Sequence, residues 1–178
     1  MSEDQLYVLS FYRASELAGS LLFGQLALHT GYDELRTPLT EQCSEEARHA
    51  WLVNETIVAL GGAPIKVENN FQSEIAKIFG MPAGIVDILC LTKVFEERVL
   101  EHYQKHATMK NEDPRIVAML NEMIEDESGH VDWIEEALKK YEDQGAPEKL
   151  KAAQEIDRQV YEKLIAEPVF ARYFKEIL

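Results

Sequence analysis

Apolar residues recur at intervals of three and four along almost the whole chain, and nowhere does strict alternation last long enough to build a strand. The expected class is all-α. A first helix is predicted over residues 3–30, with Gly31 as its stop. Thr37 and Pro38 read as the cap and first-turn proline of a second helix, which closes at Gly61 and Gly62. About twenty residues then lead to a third long helix, and within them residues 70–79 predict a short extra helix closed by Gly80. The third long helix runs from near Pro82 to near Thr108. Asp113 and Pro114 cap and start a fourth, which continues to about Glu142 before Gly145, Ala146 and Pro147 break it. A fifth helix over residues 148–166 precedes Pro168 and a short terminal helix ending at Leu178. Short links after the first and third long helices imply antiparallel hairpins, and the long link between the second and third implies a crossover. The expectation is one domain over residues 1–178: a four-helix bundle over about 3–142 and a helical extension over about 148–178.

Charged residues interrupt the apolar stripes at regular places. On the second helix Glu46 is followed three residues later by His49, among Leu39, Val53, Ile57 and Leu60. On the fourth, Glu127 is followed by His130, among Ile116, Leu120, Met123, Val131, Ile134 and Leu138. On the first, Glu16 is the only charged residue between Ala14 and Leu28. The third helix offers Glu96 and Glu97. At 100° per residue Glu96 falls with Ile85, Leu89, Thr92, Val99, Leu100 and Tyr103, whereas Glu97 falls with Lys93, Glu101 and Gln104, so Glu96 is the core residue. The halves of the chain echo each other: Glu16 lies 30 residues before Glu46, and Glu96 lies 31 before Glu127.

Acidic side chains pointed into an apolar core cost several kcal/mol each in lost hydration and repel one another. Something cationic must accompany them. The stripes hold too few lysines and arginines, but two divalent ions would balance four carboxylates. Oxygen and imidazole donors without thiolate suit iron, manganese or zinc, and a glutamate-rich site with one histidine per ion favours iron or manganese. The chain of 178 residues has 18 Lys plus Arg against 32 Asp plus Glu, a formal charge of -14, so nucleic acid is not expected as a partner. Cys43 and Cys90 lack a CxxC spacing and read as small core hydrophobes. Neither a signal peptide nor a run of eighteen apolar residues is seen, which makes the cytoplasm the expected location and a membrane span unexpected.

This donor set, one glutamate from each of two helices and Glu-x-x-His from each of two others, resembles the ferritin-like di-iron carboxylate superfamily. The resemblance covers the first four long helices. Glu96 followed by Tyr103 matches the tyrosine often found seven positions after a ligand glutamate there, and Glu16 with Phe23 matches it loosely. Ser44-Glu45-Glu46-Ala47-Arg48-His49 looks like a motif of di-iron oxygenases and ribonucleotide reductase small subunits; Asp126-Glu127-Ser128-Gly129-His130 keeps the acid but lacks the arginine. The stretch from Phe95 to Tyr103 looks like the matching helix of 5-demethoxyubiquinone hydroxylases and aldehyde-deformylating oxygenases. Rubrerythrins are also related, but their further glutamate on this helix is replaced here by Lys93, Val99 or Leu100, and no rubredoxin-like cysteine pair is present.

The resemblance implies two iron ions, with manganese or a mixed pair as the alternative. Glu16 and Glu96 would be terminal ligands, Glu46 and Glu127 bridges, and His49 and His130 the nitrogen donors. Glu45 and Asp126 would accept from the histidines and fix their tautomers. Six protein ligands leave open positions, which suits reduction of dioxygen. Tyr103 is the candidate catalytic side chain, with Tyr12 and Trp51 as further electron relays. Three functions remain open: an oxidase or oxygenase of a small organic molecule, a ferroxidase or rubrerythrin-like iron or peroxide handler, and a metal-stabilised scaffold. The first needs an electron donor, such as a partner protein, and a pocket, for which Ala18, Gly19, Ser20 and Gly24 offer room; a homodimer is compatible with all three. His29, His102 and His106, together with Glu41, Glu97, Glu101, Glu122 and Glu125, are expected on the surface, which for Glu45 is the alternative to accepting from a histidine.

Overall fold

The computed structural model describes residues 1–68 and 70–177. Every regular element among them is helical: α1 (Glu3–His29), α2 (Asp33–Ala59), α3 (Phe71–Phe79), α4 (Ile85–Ala107), α5 (Pro114–Lys139), α6 (Ala146–Ile165) and α7 (Pro168–Tyr173), with a 3₁₀ turn at Glu142–Gln144. The all-α expectation holds, and no helix among these residues is long and apolar enough to cross a membrane. The terminal helix stops at Tyr173, earlier than expected, and its expected last residue, Leu178, lies outside the described residues.

Helix boundaries follow from where the first amides and last carbonyls find partners. Ser2 accepts from the Gln5 amide to cap α1, and Asp113 accepts from the Arg115 amide to cap α5 with Pro114 in the first turn. Gly61 ends α2 in the left-handed conformation (φ 80°), where its amide and that of Gly62 take the Val58 and Ile57 carbonyls. Three further boundaries differ from expectation. α2 begins at Asp33, a turn before Pro38, because burying Leu35 beside Leu39 and pairing Asp33 with Arg36 (2.8 Å) support an additional turn. α4 begins at Ile85 rather than Pro82, since Asp87 reaches back to the Ala83 amide (2.9 Å) and holds the preceding residues in a loop. Ala146 and Pro147 do not break a helix but open α6, where a missing proline amide is harmless.

The chain forms two compact units. The first comprises Met1–Ser73 with Pro168–Lys175. Here α1 and α2 run antiparallel, as the pairing of Ser20 with Cys43 and of Glu16 with His49 requires. α7 returns to the start of α1: Phe170 is fully buried edge-on to Phe11 (centroids 5.0 Å apart), and Arg172 holds Asp4 (2.6 Å). Burying a side chain such as Phe170 contributes about 2–3 kcal/mol.

The second unit comprises Glu74–Glu167 with Glu176 and Ile177. α4 and α5 form its antiparallel hairpin, and α6 lies along α4 in the same direction. Contacts Cys90 to Ala146, Glu97 to Gln154, Arg98 to Asp157 and His102 to Tyr161 keep a nearly constant offset of 56 to 59 residues. With neighbours on two sides, α4 buries every residue from Ile88 to Glu96 instead of one stripe. For the same reason His102 and His106 are not surface residues. His102 Nδ1 lies 3.0 Å from the Tyr161 hydroxyl, while His106, fully buried, pairs with Glu112 at 2.9 Å, tying the end of α4 to the approach of α5. Arg98 clamps α6 by holding Asp157 through Nε and Nη2 and lying 4.2 Å above the Tyr161 ring.

Arg98→Ala would leave Asp157 buried without its guanidinium, and a loss of about 3 kcal/mol is expected in a denaturant titration. Burial, reinforced by the charges of His106, Lys105 and Arg98, holds the His102 imidazole down to about 3. An unfolded chain protonates histidine near pH 6.5. Between those two values the unfolded state therefore carries the extra proton, and stability declines as pH is lowered through that window. His102→Gln should flatten this slope when unfolding free energy is measured against pH.

Candidate metal centre

α1 and α2 approach closely because small residues line their contact. Ser20 donates to the Cys43 carbonyl (2.8 Å), and a Cβ placed on Gly24 would lie 3.1 Å from Cys43 Sγ. At Gly19 the neighbour is the Glu46 carboxylate, whose Oε2 would stand 2.5 Å from a Cβ. The room expected at Gly19, Ser20 and Gly24 for a substrate is thus taken up by α2.

Glu16, Glu46 and His49 are each at least 95% buried. Each offers a donor atom within 4.8 Å of the others, and His49 Nδ1 is 3.5 Å from Glu16 Oε2. Helical geometry produces this grouping: Glu46 and His49 are one turn apart on the inner side of α2, and Glu16 sits level with them on the antiparallel α1.

The second unit builds the same triad from α4 and α5. Glu96, Glu127 and His130 are buried, with donor atoms within 4.8 Å of one another. The His130 Nδ1–H donates to Glu127 (2.9 Å) and lies 3.4 Å from Glu96 Oε2. Each unit therefore holds two carboxylates and one imidazole in an interior position.

Such a group needs positive charge. Lys93 is the one buried lysine or arginine among the described residues, and its ammonium goes instead to Glu97 (3.0 Å) and Glu135 (3.3 Å). The demand is visible in the titration of the second triad. Burial and the neighbouring Glu127 charge push the Glu96 carboxyl well above the usual range. Burial opposes the charging of His130, but its bonds to Glu127 and Glu96 prevail and raise it to about 12. Oxygen and imidazole donors, two acids to each histidine and no lysine or arginine among them, fit a divalent ion of the iron or manganese type.

Other residues singled out in the sequence sort by burial. Glu97 is half-buried and bound to Lys93, which confirms Glu96 as the inward residue of the two. Tyr12 and Tyr103 are buried, whereas Trp51 is 59% exposed and does not belong to the core. Glu45 and Asp126 are half-buried on the flanks of α2 and α5, while His29, Glu41, Glu101, Glu122 and Glu125 are exposed, as expected. Cys90 is buried, with its thiol pushed up to about 11 by burial, and Cys43 is half-buried. Sequence reasoning missed the inward turn of Lys93, because pairing with Glu135 on another helix leaves no local signature. It also misread Gly19, whose meaning lies in a contact across helices.

No curated protein matches the chain. Residues 21–143 match the family model described as a ferritin-like domain, a stretch that contains Glu46, His49, Glu96, Glu127 and His130 and begins after Glu16. With an all-helical fold and buried Glu-x-x-His pairs on α2 and α5, the chain belongs to the ferritin-like domain family.

Proposed function

We propose that this protein is a dinuclear non-haem metal protein that uses dioxygen to oxidise a small organic molecule. Two ions, iron by donor preference, would be held by Glu16, Glu46, His49, Glu96, Glu127 and His130. One observation carries the reading: two interior triads of the same composition, each with two acids and one imidazole and neither with a lysine or arginine to neutralise it. Bound ferrous ions would supply the electrons and the open coordination positions that dioxygen reduction requires.

The chain's own residues do the rest. Glu16 and Glu96 would serve as terminal ligands, Glu46 and Glu127 as bridges, and His49 and His130 would each give one nitrogen. A helical interior around the triads excludes bulk water and keeps the carboxylates from being solvated separately. Tyr103 lies seven residues beyond Glu96, about 10 Å along the axis of α4, and is buried. The role proposed for its phenol is to pass an electron and a proton between the ligand region and the end of the helix. The match to a ferritin-like domain supports a second reading, oxidation of ferrous iron as the substrate itself.

Loading two ferrous equivalents without air and then admitting air should give a ferric absorption spectrum together with consumption of dioxygen. Continued turnover on excess ferrous iron would favour the ferroxidase, and no reaction with dioxygen at all would reject both readings. Glu96→Gln should act in opposite directions on two measurements. Burial and the Glu127 charge disfavour ionised Glu96 in the folded state, so its folded-state pKa lies above the unfolded one and its titration costs stability as pH rises past the unfolded value. The variant should therefore unfold about 1–3 kcal/mol harder than the parent in chelator, yet lose most of the stabilisation that added metal confers. Glu97→Gln should leave metal uptake unchanged.

A further inference from the structure

Gly19 stands one turn after Glu16 on the buried side of α1, with the Glu46 side chain lying across its bare Cα. A Cβ there would meet Oε2 at 2.5 Å, Cδ at 3.1 Å and Cγ at 3.6 Å. Ordinary contact between such atoms is about 3.5 Å, so any side chain at this position would drive the carboxylate back by roughly 1 Å. We infer that Gly19 is a positioning residue for the Glu46 carboxylate, leaving the space in which that group reaches a divalent ion. This inference rests on the dinuclear reading above.

Backbone conformation does not explain the glycine. Gly19 lies inside α1 with ordinary negative φ, where alanine is the better helix former. Its neighbour is the far end of a flexible side chain, which can swing aside, so a methyl group should be accommodated by the fold. A ligand is less forgiving than the fold. Metal–oxygen distances are held to about 0.2 Å, and a carboxylate moved by several times that amount no longer coordinates. Gly24 supplies the comparison: a Cβ there would press on Cys43 Sγ at 3.1 Å, an atom outside the proposed ligand set.

The test is titration of the metal-free protein with Co²⁺, read by the visible ligand-field bands, with the melting temperature in chelator measured alongside. The parent should take up two ions per chain. Gly19→Ala should weaken uptake about ten- to a hundredfold, the range seen when a ligand loses its support, and change the band pattern, while melting in chelator at or above the parent's temperature. Gly24→Ala should keep the parent's Co²⁺ affinity and bands. If Gly19→Ala binds Co²⁺ with the parent's affinity and spectrum, or melts far below the parent in chelator, Gly19 has no positioning role. A parent that takes up no Co²⁺ overturns the dinuclear reading and this inference with it.

Discussion

A carboxylate moved from water into a helical interior gives up several kcal/mol of hydration, and Glu16, Glu46, Glu96 and Glu127 have all made that move. Much of the surrounding structure follows from this cost. A lysine or arginine in each triad would cancel the charge and close the site to any other cation. Lys93, the buried candidate, is held away by Glu97 and Glu135. The remaining basic residues of α4 are spent elsewhere: Arg98 on Asp157 and Lys105 on Glu101. The interior acids are therefore left to imidazoles, which can be neutral, and to whatever cation the solution provides.

The two units reach the same donor set by different packing. In the first, α1 and α2 come close through Gly19, Ser20 and Gly24, and the position of Glu46 depends on how near the backbone of α1 lies. In the second, α4 is enclosed on a further side by α6, and Glu127 is held by a hydrogen bond from His130 instead. The near-equal spacings of 30 and 31 residues between the glutamates of each hairpin reflect the common requirement that two antiparallel helices place acids at one level. What differs is what covers the outside of each hairpin: α7, anchored by Phe170, in one, and α6, clamped by Arg98, in the other.

The helical class, the long helices and the inward direction of Glu16, Glu46, Glu96 and Glu127 were legible in the sequence because each depends on periodicity within a single segment. Glu96 could be told from Glu97 because the two differ by 100° on the helix and only one falls among apolar neighbours. Features set by a second segment were not legible. His102 and His106 seemed exposed because the polar side of α4 was read without α6 and Glu112 to cover it. α2 gained a turn before Pro38 because burial of Leu35 outweighs the propensity signal of Thr37-Pro38. Gly19 resembled vacant space for a ligand until the Glu46 side chain could be placed upon it.

The two histidines add a constraint that neither burial nor periodicity expresses. In both triads it is Nδ1 that faces the carboxylates, at 3.5 Å from Glu16 in one and 2.9 Å from Glu127 in the other. In the second triad the partner is the glutamate one turn earlier on the same helix, whereas in the first it is Glu16 on the facing helix α1. Nδ1 can either hold a proton toward the acids or offer its lone pair to a cation among them, but not both. A proton on that atom satisfies one carboxylate by a hydrogen bond, whereas a dication would satisfy both acids and use the imidazole as well. The buried acids thus keep the centre short of positive charge, and in each triad Nδ1 is the atom that faces that shortage.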